Sequence, residues 1–171
     1  SWYPGPMVES SPETEPQRRR PPAFVEELDL LIRARYPLVY LLTWEEQRIE
    51  AILQELAAAH GKALLSWSVT KGLRRVGGAR TAAPPDGLAR PEEALAAVGK
   101  LTEPALVVMK DLHPYLVGAP ELVRQLRDLA HQLKSTYTTL VLLSPVLTIP
   151  PELEKEITLL DVPLPSSHEL T

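Results

Sequence analysis

The stretch RYPLVYLLTWEEQRIE, Arg35 to Glu50, runs a continuous apolar segment straight into an amphipathic one. Leu38 to Leu42 is short and apolar at every position, the pattern of a strand covered on both faces of a parallel sheet. Ile49, Ile52, Leu53 and Leu56 then make one helical face, and Gly61 ends that helix with a residue that tolerates positive φ. Thr43 and Glu46 have the spacing of a capping box, in which the hydroxyl accepts from the amide three residues on and the carboxylate reaches back. In α/β domains that bind nucleotides, such a strand-to-helix junction carries the phosphate loop. A loop of the G-x-x-x-x-G-K-[ST] kind needs glycines so that successive amides can turn inward around phosphate oxygens, and a lysine to meet their charge. No glycine occurs from Pro37 to His60, and Thr43-Trp44-Glu45-Glu46 places two carboxylates where phosphate would sit. The expectation is a nucleotide-binding architecture with its phosphate site missing.

Working outward, Phe24 to Tyr36 carries apolar residues at helical spacing and is stopped by Pro37. Ala63 to Val69 reads as a second strand. Lys71 to Arg90, rich in Gly, Ala, Pro and Arg, shows no period and is expected to be a long loop, mobile or functional. Pro91, followed by Glu92 and Glu93, opens a short helix. Ala105 to Met109 reads as a third strand, and Glu121 to Lys134 as a helix with Leu122, Leu126, Leu129 and Leu133 inward. Thr138 to Leu143 makes a fourth strand, Ile149 to Glu156 a short helix entered through prolines, and Ile157 to Val162 a fifth strand. Strands alternating with helices call for a three-layer α/β fold, mainly a five-stranded parallel sheet with helices on both faces.

The domain is expected over residues 23–165. Residues 1–22, with six prolines and the run Arg18-Arg19-Arg20, read as a flexible tail, within which Met7 is a candidate native start and residues 1–6 are then foreign to the protein. Residues 166–171 read as the start of a linker. No sixth element closes the sequence, so a fragment of something longer is expected.

The 171 residues suffice for one core without disulfides or metals. Zero cysteines exclude a disulfide framework, a cysteine nucleophile and a thiolate zinc site. With 22 acidic against 18 basic residues, a general affinity for nucleic acid or anionic lipid is not suggested. No apolar run approaches the roughly 18 residues of a membrane span. The expected setting is cytoplasmic, or the plastid stroma if the parent protein is plastid-encoded.

Three stretches resemble one family: residues 32–46 (IRARYPLVYLLTWEE), residues 67–70 (WSVT) and residues 143–157 (LSPVLTIPPELEKEI). They are similar to the amino-terminal half of AAA-type ATPases of the hypothetical-chloroplast-frame (Ycf) type. The likeness covers roughly Phe24 to Leu170. It implies a degenerate AAA-like module that precedes a complete AAA+ ATPase module, with ATP and Mg belonging to the latter and no cofactor to this fragment. It also implies that Val107 to Asp111 corresponds to the strand bearing an acidic metal-binding residue, and that Ser144 stands where a polar sensor residue would end the fourth strand. The pattern departs at Lys110, inserted before Asp111, and in the lack of an arginine finger from Glu152 to Leu160. The implied partners are the ATPase module of the same chain, further copies through the parent, and a protein yet to be identified.

Thr43, Trp44, Asp111 and Ser144 are the candidates for the crevice at the strands' carboxyl ends, where open α/β sheets bind ligands. Asp111 could equally cap the turn at Leu112-His113-Pro114. Trp44 is expected to plug the vacant phosphate crevice, an interface anchor being the other reading. Ser144 has no base nearby in sequence, and His60, His113, His131 and His168 lack metal-ligand spacing, so no triad and no metal are expected. Lys71, Arg74, Arg75 and Arg80 form a basic segment for an acidic partner or a pore lining, or a plain connector. The leading function is a non-catalytic module for docking, assembly or partner recognition. The alternative is a phosphate-handling or phospho-acceptor domain using Asp111. A third, nucleic-acid binding through Arg18 to Arg20 and the basic loop, predicts steep salt dependence.

Overall fold

A computed structural model describes residues 2, 4–5, 21–78, 84 and 86–164. The expected tail over residues 1–22 and the linker from 166 therefore fall almost entirely outside the described residues, as do Arg80 and His168. The elements in chain order are α1 (Ala23–Arg33), β1 (Leu38–Leu42), α2 (Glu46–Ala59), β2 (Ala63–Ser68), β3 (Gly72–Gly78), α3 (Pro91–Gly99), β4 (Ala105–Lys110), α4 (His113–Leu116), α5 (Pro120–Leu133), β5 (Thr139–Ser144), a 3-10 turn (Pro151–Leu153) and β6 (Thr158–Asp161).

Six strands form one sheet in the order β3-β2-β4-β5-β1-β6. Five of them are parallel, and they are the five read from the sequence. The sixth is a correction. β3 lies inside the stretch taken as a loop and pairs antiparallel with β2 at the sheet's edge. Gly72, at φ +70°, makes the tight return between them, and an added Cβ would meet the Gly87 carbonyl oxygen at 3.3 Å. Leu73 is buried against the α3 and α5 side and Val76 packs towards α2, with a bulge opposite Leu64 and Leu65. That bulge breaks the alternation that would have marked the segment as a strand.

The pleat divides each parallel strand between two cores. Leu38 and Tyr40 of β1, Leu65 and Trp67 of β2, Val107 and Met109 of β4, and Leu140 and Leu142 of β5 face α3 and α5. Val39 and Leu41, Leu64, Leu106 and Val108, and Val141 and Leu143 face α1 and α2. The parallel register sets Leu38 beside Leu140 and Leu42 beside Ser144, so the strand ends line up. The helix expected at Ile149 to Glu156 is only a 3-10 turn over Pro151–Leu153. Its exit is clamped to α5: Glu156 lies 3.0 Å from His131 and 3.4 Å from Lys134.

Trp67 is fully buried, and its indole N–H donates to the Leu88 carbonyl at 3.1 Å, holding the segment before α3 against the sheet. Trp67→Ala is therefore expected to cost about 3–5 kcal/mol by urea unfolding. A second expectation concerns acid. Burial pushes the Glu156 carboxyl up, but the charges of His131 and Lys134 outweigh it and hold the group below the ordinary carboxylate value. Its stabilising contribution is then complete above the unfolded value of about 4.3 and lost as pH falls through the lower folded value. In unfolding measured against pH, the gap between the wild type and Glu156→Gln should close below about pH 4.

Candidate functional site

The carboxyl ends of β1, β5 and β4 meet side by side. The Thr43 amide donates to the Ser144 carbonyl at 3.0 Å, and the Asp111 amide to the Leu143 carbonyl at 3.0 Å. Thr43, Ser144 and Asp111 thus occupy neighbouring strand ends, as the sequence reading placed them. Their side chains do not behave as read.

Thr43 and Glu46 do not form a capping box. Helix α2 begins with Glu45 as its N-cap and no side-chain cap bond, and the Thr43 hydroxyl accepts instead from the Glu45 amide at 3.1 Å. The chain leaves β1 through a two-residue side-chain turn, one position short of what a box requires. Glu45 is held by Arg48 at 2.8 Å, which also lies over the Phe24 ring. Glu46 is drawn away by a cation that sequence reasoning had left out of the site, Lys110.

Lys110, the last residue of β4, reaches α2 and sits 3.1 Å from Glu50 and 3.9 Å from Glu46. Its side chain is only 19% exposed and that of Glu50 22% exposed, so the pair is largely out of water. The charges are the reverse of those a phosphate site needs: acids on the helix's first turns and a lysine on the strand expected to carry a metal-binding acid. The signal was present in the i, i+4 spacing of Glu46 and Glu50 and in Lys110 itself.

Trp44 does not plug this crevice. It is 78% exposed. Nor does Asp111 cap the following helix: α4 has Leu112 as its N-cap with no side-chain bond, and Asp111 is exposed at φ +55°, a left-handed conformation aspartate tolerates better than most residues.

Ser144 does have a histidine at hand, which the sequence gave no means of seeing: His113 Nδ1 lies 3.0 Å from its Oγ. The same Oγ accepts from the Val146 amide at 3.0 Å and faces the Val146 carbonyl at 3.0 Å. A carbonyl only accepts, so all three bonds are made when the serine proton points at Val146 and His113 Nδ1 donates. In that tautomer the histidine is no base towards Ser144, and among the described residues it has no carboxylate partner. Tyr40, buried in β1, donates its hydroxyl to the same Val146 carbonyl. The cluster locks the loop after β5.

Of the basic residues, Lys71 lies in the turn before β3 and Arg74 and Arg75 lie on that edge strand, Arg74 exposed and Arg75 partly buried. The structure does not bring them to the crevice. Buried Lys62 stands before β2, at the amino edge; burial, then the nearby Arg35 charge, lowers its pKa. Among the described residues no three His, Asp or Glu side chains gather as a metal set, and no helix is long and apolar enough to cross a membrane.

Residues 24–162 match the family described as SpoVK-like AAA ATPase, N-terminal domain. The chain is 34% identical over 154 residues to the "uncharacterized AAA domain-containing protein ycf46" of Guillardia theta, covering 86% of this chain and 29% of that protein. It is 33% identical over 153 residues to the protein of the same name from Trieres chinensis, again 86% of this chain and 29% of the relative. The chain therefore spans less than a third of the relatives it matches. No solved structure matches it at comparable significance.

Replacing Lys110 with methionine keeps the aliphatic stem but strands Glu50, largely removed from water. Lys110→Met should lose about 1–3 kcal/mol in urea unfolding, and adding Glu50→Gln should restore part of it. Losses in Lys110→Met and Glu50→Gln that simply add up to that of the double variant would show that the pair contributes nothing.

Proposed function

The chain belongs to the SpoVK-like AAA ATPase N-terminal domain family, and we propose that this module is non-catalytic and docks against the ATPase portion of its parent chain, serving assembly or partner recognition. The observation that carries this reading is the Lys110–Glu50–Glu46 cluster at the place a triphosphate would need. A phosphate there would face the carboxylates of Glu45, Glu46 and Glu50, with no glycine turn to offer amides. The edge is apolar besides. Trp44 follows β1, Val117 follows β4 and α4, and Leu164 follows β6, and all three are largely exposed where the parallel strands end. Exposed apolar side chains collected on one edge fit a surface made to be covered.

In this reading ATP and Mg serve only the parent's ATPase module, and further copies associate through the parent, in the cytosol or the plastid stroma. The competing phospho-acceptor reading draws on exposed Asp111 at a strand's carboxyl end. One experiment separates the two. The 171-residue chain is melted with and without ATP or acetyl phosphate in the presence of magnesium. We expect no change, whereas a ligand at 100 times its Kd would stabilise the fold by about 2.7 kcal/mol, and such a shift would refute the proposal. Docking is checked by titrating the chain with the remainder of the parent: Trp44→Ala should weaken binding at least about tenfold, as loss of an aromatic anchor does.

A further inference from the structure

A second surface lies away from the Lys110 cluster. Between the start of α5 and the chain from Thr148 to Glu152 runs a groove of about 510 Å³. Its floor is apolar, made by Leu116, Val123, Ile149 and Pro150, and it continues onto Val117, which is 70% exposed. Arg124 and Arg127, one turn apart on α5, form one wall. They differ in state. Arg124 is exposed and already pairs with Asp128 at 3.0 Å. Arg127 is partly buried and, among the described residues, has no hydrogen-bond or ion-pair partner. A guanidinium stays charged at any physiological pH, so a partly desolvated one without a counter-ion is an unmet electrostatic demand. Glu152 stands exposed on the opposite wall and would repel an anion there, which directs an incoming carboxylate to the α5 side.

We propose that this groove docks a peptide segment of a partner protein that presents an apolar side chain to the floor and an aspartate or glutamate to Arg127. Charge complementarity selects the acid, since planar, fork-like pairing with a carboxylate is what an unpaired arginine offers. The exposed Val117 on the groove's rim suits a polypeptide, because it offers an apolar contact open to solvent beside the floor. Val117 is shared with the apolar rim proposed above, so Arg127, which that rim lacks, distinguishes the two surfaces, and the test does not involve nucleotide.

A displayed library of random dodecapeptides is selected on the immobilised 171-residue chain. The expected winners carry Leu, Ile, Val, Phe or Met within three positions of Asp or Glu, and are depleted in Lys and Arg. For a synthetic winner, Arg127→Glu and Val117→Asp should each weaken binding at least about tenfold, while Arg127→Lys, which keeps the charge but loses the fork, should fall between Arg127→Glu and the wild type. Arg90→Glu, on an exposed residue before α3, is the control and should change nothing. Matching melting temperatures will confirm that each variant is folded. No enrichment, enrichment of basic peptides, or winners indifferent to Arg127→Glu would each overturn the proposal.

Discussion

Burial of β1 on both faces is the constraint from which the rest follows. Leu38 and Tyr40 are sealed under one pair of helices, Val39 and Leu41 under the other, and none of the four is more than 1% exposed. A strand closed on both sides can be joined to a parallel neighbour only by a crossover that covers a face of the sheet. Repeating that connection gathers the carboxyl ends of five strands on one edge. Polar groups excluded from the two cores are driven there, together with the first turns of the helices that follow. The place where this molecule can hold charge is therefore set by its hydrophobic layering before any functional residue is considered.

The glutamates on that edge are already partnered. Glu45 is met by Arg48, and Glu46 and Glu50 are met by Lys110. A helix amino terminus favours negative charge, and α2 has its own in Glu46. An arriving phosphate would have to displace side chains that already satisfy the site, against three carboxylates. The short network of Ser144, His113, Val146 and Tyr40 closes the adjoining loop in the same way.

The layering was legible in the chain because continuous apolar runs such as Leu38–Leu42 and Ala105–Met109 admit few other readings at that length. The edge strand was not, since β3 owes its conformation to pairing with β2 and its bulge erases the period. Thr43 and Glu46 misled because a capping box is a matter of spacing alone until the turn geometry is known; a bond to the amide two residues on competes for the same hydroxyl. Trp44 misled because an absent phosphate suggests an empty space to be plugged, whereas the indole stands exposed. His113 and Ser144 are 31 residues apart and meet only through the order of β4 and β5, which no local pattern encodes.

Once charge is settled internally, the open question at the carboxyl edge is apolar. An aromatic side chain buries about 150–250 Å², and at roughly 25 cal/mol per Å² that is about 4–6 kcal/mol in gross transfer free energy. Association of separate molecules costs a comparable amount or more in lost motion, so Trp44 alone would not hold a free partner. Val117 and Leu164 add to the surface, but a second circumstance matters as much. The relatives are more than three times as long as the matched segment. A partner tethered in the same polypeptide meets this edge at a high effective concentration, and the translational cost falls accordingly. A small apolar rim that binds only weakly between free proteins is then strengthened within one, the circumstance that favours the proposed docking inside the parent chain.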